Sequence, residues 1–134
     1  MRKLKLLIAL LLFTVGGCAT SSPKPTHLEF VAFDQVRANP AAFDEKAVAI
    51  KGYIQADVLG STSLYATADD AAQNRMYDAI DILSKDVKLR KAIKYKSPTC
   101  VIAGGKFHTY KAGEFKFDLP SKIGVIELES VIPC

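Results

Sequence analysis

Residues 48–54 and 101–107 carry one pattern twice: apolar, any, apolar, any, glycine, any, apolar. Period-two alternation makes each a strand, with Val48, Ile50, Gly52 and Ile54 on one face of the first and Val101, Ala103, Gly105 and Phe107 on one face of the second. A glycine in mid-strand removes packing surface and loosens the backbone, so finding one at the same phase in both predicts sharp coiling or a bulge. A small sheet that closes on itself needs that coiling. No other feature of the chain restricts its fold as much.

Further strand candidates are residues 63–66, 78–83 with Ile80 and Ile82 on one face, and 122–132, which brings the expected count to five. Residues 84–94, between the third and fourth strands, read as a helix, with Ile82, Leu89 and Ile93 tracing an approximate apolar seam. Residues 33–38 read as a short helix stopped by Asn39-Pro40, because the residue before proline avoids helical geometry. The order is helix, three strands, helix, two strands. It resembles the OB-fold, and residues 39–53 with their counterpart 101–107 are similar to the opening and fourth strands of bacterial OB-type domains. The resemblance covers most of residues 30–132. It implies a mainly β protein: a small five-stranded Greek-key barrel with a helix between strands 3 and 4 and a short N-terminal helix. In that topology the fourth and fifth strands form a hairpin, which places Cys100 beside Cys134. An α+β layer domain fits the same list of elements.

The N-terminus carries an address. Arg2, Lys3 and Lys5 precede an apolar run over residues 6–15, and Gly16 and Gly17 lead into Cys18, which is how an export signal is built. A membrane-spanning helix needs roughly 18 or more apolar residues, and this run stops short. The arrangement resembles the lipobox of bacterial lipoproteins. That likeness implies a diacylglyceryl group on the Cys18 thiol, cleavage just before it, and, with Ala19 following, passage to the outer membrane facing the periplasm. Two or three acyl chains, at about 0.8 kcal/mol per buried CH₂, anchor a protein where one holds it only marginally. An ordinary signal peptide is the alternative. The layout expected is a signal over residues 1–17, a lipidated cysteine and polar tether over 18–26, and one domain over 27–134. An extended tether of eight residues reaches roughly 25 Å.

Charge must be counted without the signal. The full chain holds 18 Lys+Arg against 14 Asp+Glu, and three of those cations lie in the signal, which leaves 15 against 14, or +1. A nucleic-acid partner, which a strongly basic chain would invite, is disfavoured. Besides Cys18 there are two cysteines, Cys100 and Cys134. Export into an oxidising compartment favours their pairing, and closing a loop of that length is worth roughly 3.5 to 4 kcal/mol on the chain-entropy model. A metal site built from Cys100, Cys134 and His108 is the alternative, but three isolated ligands support it weakly, and no metal or cofactor is expected.

Catalytic signatures are missing from the sequence: there is no His-Glu-x-x-His, Gly-x-Ser-x-Gly, Walker loop or Cys-x-x-Cys. Asp78 with Asp81, and Asp69 with Asp70, offer carboxylate pairs for an envelope-glycan hydrolase or transferase, with His108 as a further candidate. Such pairs on hairpins are usually solvated surface, so the reading is a non-enzymatic binding module. Its ligand candidates follow from alternation. If Val101, Ala103, Gly105 and Phe107 point inward, then Lys106, His108 and Tyr110 form an outward stripe, joined by Tyr53 and Tyr65 on the first two strands. Aromatics beside a cation and a histidine suit sugar rings, peptide side chains or bases. Phe115 and Phe117 in the loop 111–121 complete the set. The partners expected are membrane lipid through acylated Cys18 and an envelope protein, peptide or glycan. An OB-type single-strand nucleic-acid binder is the remaining alternative. Residues 85–96 hold six cations (Lys85, Lys88, Arg90, Lys91, Lys94, Lys96) against Asp86, a gradient that suits a solvated helix face or anionic headgroups.

Overall fold

β1 (Glu29–Val31) leads into α1 (Phe33–Ala38), and β2 (Ala47–Ala56), β3 (Thr62–Tyr65), α2 (Ala68–Ala72), β4 (Ile80–Leu83), α3 (Val87–Ala92), β5 (Thr99–Thr109) and β6 (Gly124–Pro133) follow in chain order. This computed structural model describes residues 17, 27–56, 61–110 and 123–134. Cys18, the tether, and Phe115 and Phe117 with their loop lie outside the described residues.

The strands close on themselves. β2 pairs antiparallel with β3 through residues 53–56 and with β5 through residues 47–54. β3 pairs antiparallel with β4, β4 runs parallel to β6, and β6 returns antiparallel to β5. The circuit β2-β3-β4-β6-β5 is a five-stranded barrel with the helix α3 between its third and fourth strands, as the resemblance implied. Short β1 adds to its wall, parallel to the first half of β2, with Glu29 opposite Val48 and Val31 opposite Ile50.

The two glycine-bearing strands are neighbours, and Val48, Ile50, Ile54, Val101, Ala103 and Phe107 are all fully buried in the barrel interior. There they meet Leu64, Ile80 and Ile126, while Phe33 and Val36 of α1 and Ile93 behind α3 join the same core. The glycines act differently in the two strands. At Gly52 a Cβ would lie 2.7 Å from the Tyr65 carbonyl oxygen, so glycine lets β3 approach closely, without a bulge. At Gly105 the register slips: Gly104 faces Ser130 while Gly105 faces Leu128, leaving Glu129 as the extra residue of a bulge in β6. The bulge follows the stretch, residues 124–127, through which β6 also pairs with β4 on its other edge.

Several boundaries move from the expected ones. Asp78 belongs to a 3₁₀ turn over Met76–Asp78, and the strand begins only at Ile80. The helix expected over 84–94 contracts to Val87–Ala92, because Asp86 caps it by accepting hydrogen bonds from the Lys88 and Leu89 N–H groups at 2.7 and 3.3 Å. Ile82 is therefore a strand residue and not part of a helical seam. α2 was not foreseen. Thr67 caps it, its hydroxyl oxygen accepting from the Asp70 N–H at 3.1 Å. Residues 33–38 form the helix that Asn39-Pro40 was expected to stop.

At the far end of the β5–β6 hairpin the sulfurs of Cys100 and Cys134 lie at bonding distance, with their Cα atoms 5.4 Å apart. The Cys134 N–H also donates to the Cys100 carbonyl at 3.1 Å.

Candidate binding face of the barrel

Side chains that alternate away from the core form a row across the outer wall. Register carries it from Gln55 on β2 to Ser63 on β3, Asp81 on β4, Val125 on β6 and His108 on β5. Asp81 is its hub. The Ser63 hydroxyl donates to Asp81 Oδ1 at 3.2 Å, and the Tyr110 hydroxyl donates to Asp81 Oδ2. Burial of the Tyr110 phenol, together with its hydrogen bond to the Asp81 carboxylate and that group's negative charge, pushes its pKa well above the ordinary tyrosine value. The phenol is therefore a fixed neutral donor, suited to orienting a carboxylate and unsuited to acting as a base. At the other end of the row Gln55 Oε1 is buried and accepts no hydrogen bond among the described residues. A buried acceptor without a donor is costly and rare in a folded domain.

Next to this row, Lys106 and His108 are tied to the turn that precedes β2. Glu45 Oε2 lies 2.7 Å from Lys106 Nζ, and Glu45 Oε1 lies 2.8 Å from His108 Nδ1. Hydrogen bonds from Lys106 and then His108 hold the Glu45 carboxyl below its usual value, and the Glu45 carboxylate in turn raises the Lys106 ammonium. Glu45 reaches this position in a left-handed backbone conformation, φ 64°, with its N–H on the Phe107 carbonyl at 2.8 Å. Asp44 completes the turn by accepting from the Thr109 N–H at 3.0 Å. Donor atoms of Asp44, Glu45 and His108 all fall within 4.8 Å of one another, but the ammonium of Lys106 already sits on Glu45. The cluster works as a charge clamp between the turn and β5.

The outward stripe Lys106, His108 and Tyr110 is thus present, with partners that sequence alone did not indicate. The two other tyrosines are not part of it. Tyr53 pairs with Tyr65 and with Cys100, at the opposite end of β5 from His108. Tyr65 also requires a correction. It points out of the barrel as alternation demands, yet it is buried, because Ala71 of α2 and Ala79 pack over it and Tyr53 packs alongside. Its hydroxyl donates to Asn74 Oδ1 at 2.7 Å. A ring sealed this way is not free to stack on a ligand.

The metal alternative loses its geometry, since Cys100 and Cys134 face each other while His108 stands eight residues along β5, about 26 Å at 3.3 Å per residue. Of the carboxylates considered for catalysis, Asp69 and Asp70 serve α2: Asp69 accepts from Gln73 Nε2 at 2.8 Å and Asp70 pairs with Arg75 at 3.2 Å. Asp78 is exposed on its turn. Gln55, Ser63 and Glu45 went unnoticed in the sequence. For Gln55 and Ser63 the available signal was a polar residue at an outward phase on each of two adjacent strands. For Glu45 there was none, because its partner lies 63 residues away.

No family model matches the chain, and no curated protein matches it. Among solved structures it is similar to a protein assigned as an aspartyl-tRNA synthetase from Leishmania major Friedlin, with a TM-score of 0.51 at 6% identity. The likeness covers 85% of this chain and 22% of that one. At such identity it shows the fold alone.

Proposed function

We propose that this chain is a lipid-anchored, non-enzymatic binding module of the bacterial cell envelope, held at the outer membrane through Cys18 and taking an envelope peptide or glycan on the face that Gln55, Asp81, His108 and Tyr110 share, with buried Ser63 holding Asp81 in place. The observation that carries the reading is the polar row itself, centred on Ser63 of β3 and Asp81 of β4 and ending in the unsatisfied Gln55 carbonyl on β2. Barrels of this topology hold extended ligands across their second and third strands and the adjoining loops. The chain leaves the row at Ala56 and at Tyr110 into such connections. A polymer rich in N–H or O–H donors would satisfy Gln55 and lie along Asp81, with the Tyr110 ring as a flat contact. The row holds one carboxylate and no lysine or arginine, which supports a neutral or cationic ligand over a polyanion such as single-stranded nucleic acid.

Two measurements test the reading separately. Radiolabelled palmitate should enter the wild type and not Cys18→Ser, and label in both would remove the anchor. Calorimetric titration with soluble envelope-glycan fragments and with the peptides released from them should give saturable heat that Gln55→Leu and Asp81→Asn abolish. Heat unchanged in both variants, with their folds intact, would remove the site.

A further inference from the structure

A second face, around α3, is built for a different contact. Lys85, Lys88, Arg90, Lys91, Lys94 and Lys96 are all exposed, and none forms an ion pair with any described residue. The one acid in the segment, Asp86, is committed to capping the helix. Leu89 and Ile93 turn toward the barrel, which leaves Val87, Lys88, Lys91 and Lys94 on the outer side. Among these cations stand two large apolar side chains, Leu83 at 58% and Val87 at 52% exposure. A groove of about 620 Å³, floored by Leu89 and Leu128, separates the start of α3 from β6. Its far wall carries Glu127 and Glu129, of which Glu127 lies 3.7 Å from His108.

The N-terminal segment meets the barrel at β5. Leu28 and Ser130 both lie against Gly104, and Ser130 follows Glu129 on the rim of the groove. An anchor ahead of residue 28, on a tether reaching roughly 25 Å, brings the domain within reach of whatever holds it.

We propose that this face docks on the anionic surface of a lipid bilayer. Cations supply attraction to acidic headgroups, while Leu83 and Val87, flanked by lysines, reach the headgroup boundary as the apolar side chains of an interfacial segment do. Single-stranded nucleic acid fits less well, since it is held by stacking on exposed aromatic rings and the one ring within residues 85–96, Tyr95, packs against the core. The proposal rests on the anchored reading for proximity alone.

Lysine acylation followed by mass spectrometry tests it on the full protein, bound to vesicles of phosphatidylcholine alone or mixed with phosphatidylglycerol. In the acidic vesicles Lys88, Lys91 and Lys94 should react several-fold more slowly than in the neutral ones, while Lys46 and Lys51 stay constant and raised salt restores reactivity. Each cation removed should weaken the contact about fivefold, so Lys88→Glu with Lys91→Glu should erase the protection of Lys94. Equal reactivity in both vesicle types would overturn the proposal, as would protection by a single-stranded oligonucleotide without protection by acidic vesicles. The same spectra report whether Cys18 is acylated. If it is not, the anchor reading fails, and protection is then read on protein added from solution.

Discussion

Gly104 and Gly105 are adjacent, on one strand, with nearly opposite steric surroundings, and alanine at each should separate two kinds of crowding. At Gly105 a Cβ would overlap the Glu127 carbonyl oxygen and stand 2.9 Å from its carbon and 3.1 Å from Ile126 Cγ2, against an ordinary contact of 3.4 Å or more. The carbon alone must retreat by at least about 0.5 Å. It has no room to do so, because Glu127 is held from both sides, opposite Lys106 on β5 and opposite Leu83 on β4. Overpacking of about 1–3 kcal/mol combined with one strained ladder bond at about 1 kcal/mol gives a cost of about 2–4 kcal/mol. At Gly104 the obstacles are Ser130 Oγ at 2.6 Å and Leu28 Cδ1 at 2.7 Å, both ends of side chains that can rotate. The cost there should stay within about 1 kcal/mol, partly offset by the reduced freedom of the unfolded chain. At about 4–8 °C per kcal/mol for a domain of this size, Gly105→Ala should lower Tm by about 8–32 °C and Gly104→Ala by about 8 °C or less. Thermal melts followed by circular dichroism decide the matter. Equal losses, or a milder Gly105→Ala, would refute the claim that Glu127 is held fast between two partner strands.

Three further outcomes are expected. Cys134→Ser should lower stability by roughly 3.5–4 kcal/mol, read as a shift in denaturant midpoint that matches the wild type under reductant. Tyr110 has a folded pKa raised above its ordinary 10.0, so its contribution is fully present below pH 10 and is lost as pH rises further, when the unfolded chain ionises first. Tyr110→Phe should flatten the alkaline limb of Tm against pH, and an unchanged limb would contradict the buried phenol. Glu45 titrates below its ordinary 4.5, so the clamp contributes above that pH and is lost as pH falls through the lower folded value. Glu45→Gln should therefore shrink the loss of stability between neutral and acid pH, measured by melts across that range at low salt.

Where information is local in this chain, it could be read. Alternation marked the inward faces of β2 and β5, down to Phe107, because a strand between a core and its outside imposes a period of two on its own residues. Asn39-Pro40 ended α1 because proline restricts its immediate neighbour. Even α2, which was overlooked, had a visible sign in Thr67 and Asp70, the hydroxyl and acid three residues apart that cap a helix. β1 had no such sign: three residues lack a period of their own and become a strand only because β2 offers an open edge beside Val48–Ile50.

What the residues by themselves determined, then, was which side chains face inward and where glycine interrupts a strand, while the meeting of the two cysteines followed from the resemblance to a known topology. The tertiary structure alone decided which outward residues meet. Asp81 and Tyr110 are 29 residues apart, Glu45 and His108 are 63, and Tyr65 changes from a free ring to a sealed one once α2 folds over it. Alternation says only that a side chain leaves the core. Whether it then finds water, a partner or a cover depends on barrel closure, which sets the registers between distant strands and has no counterpart in any local stretch of sequence.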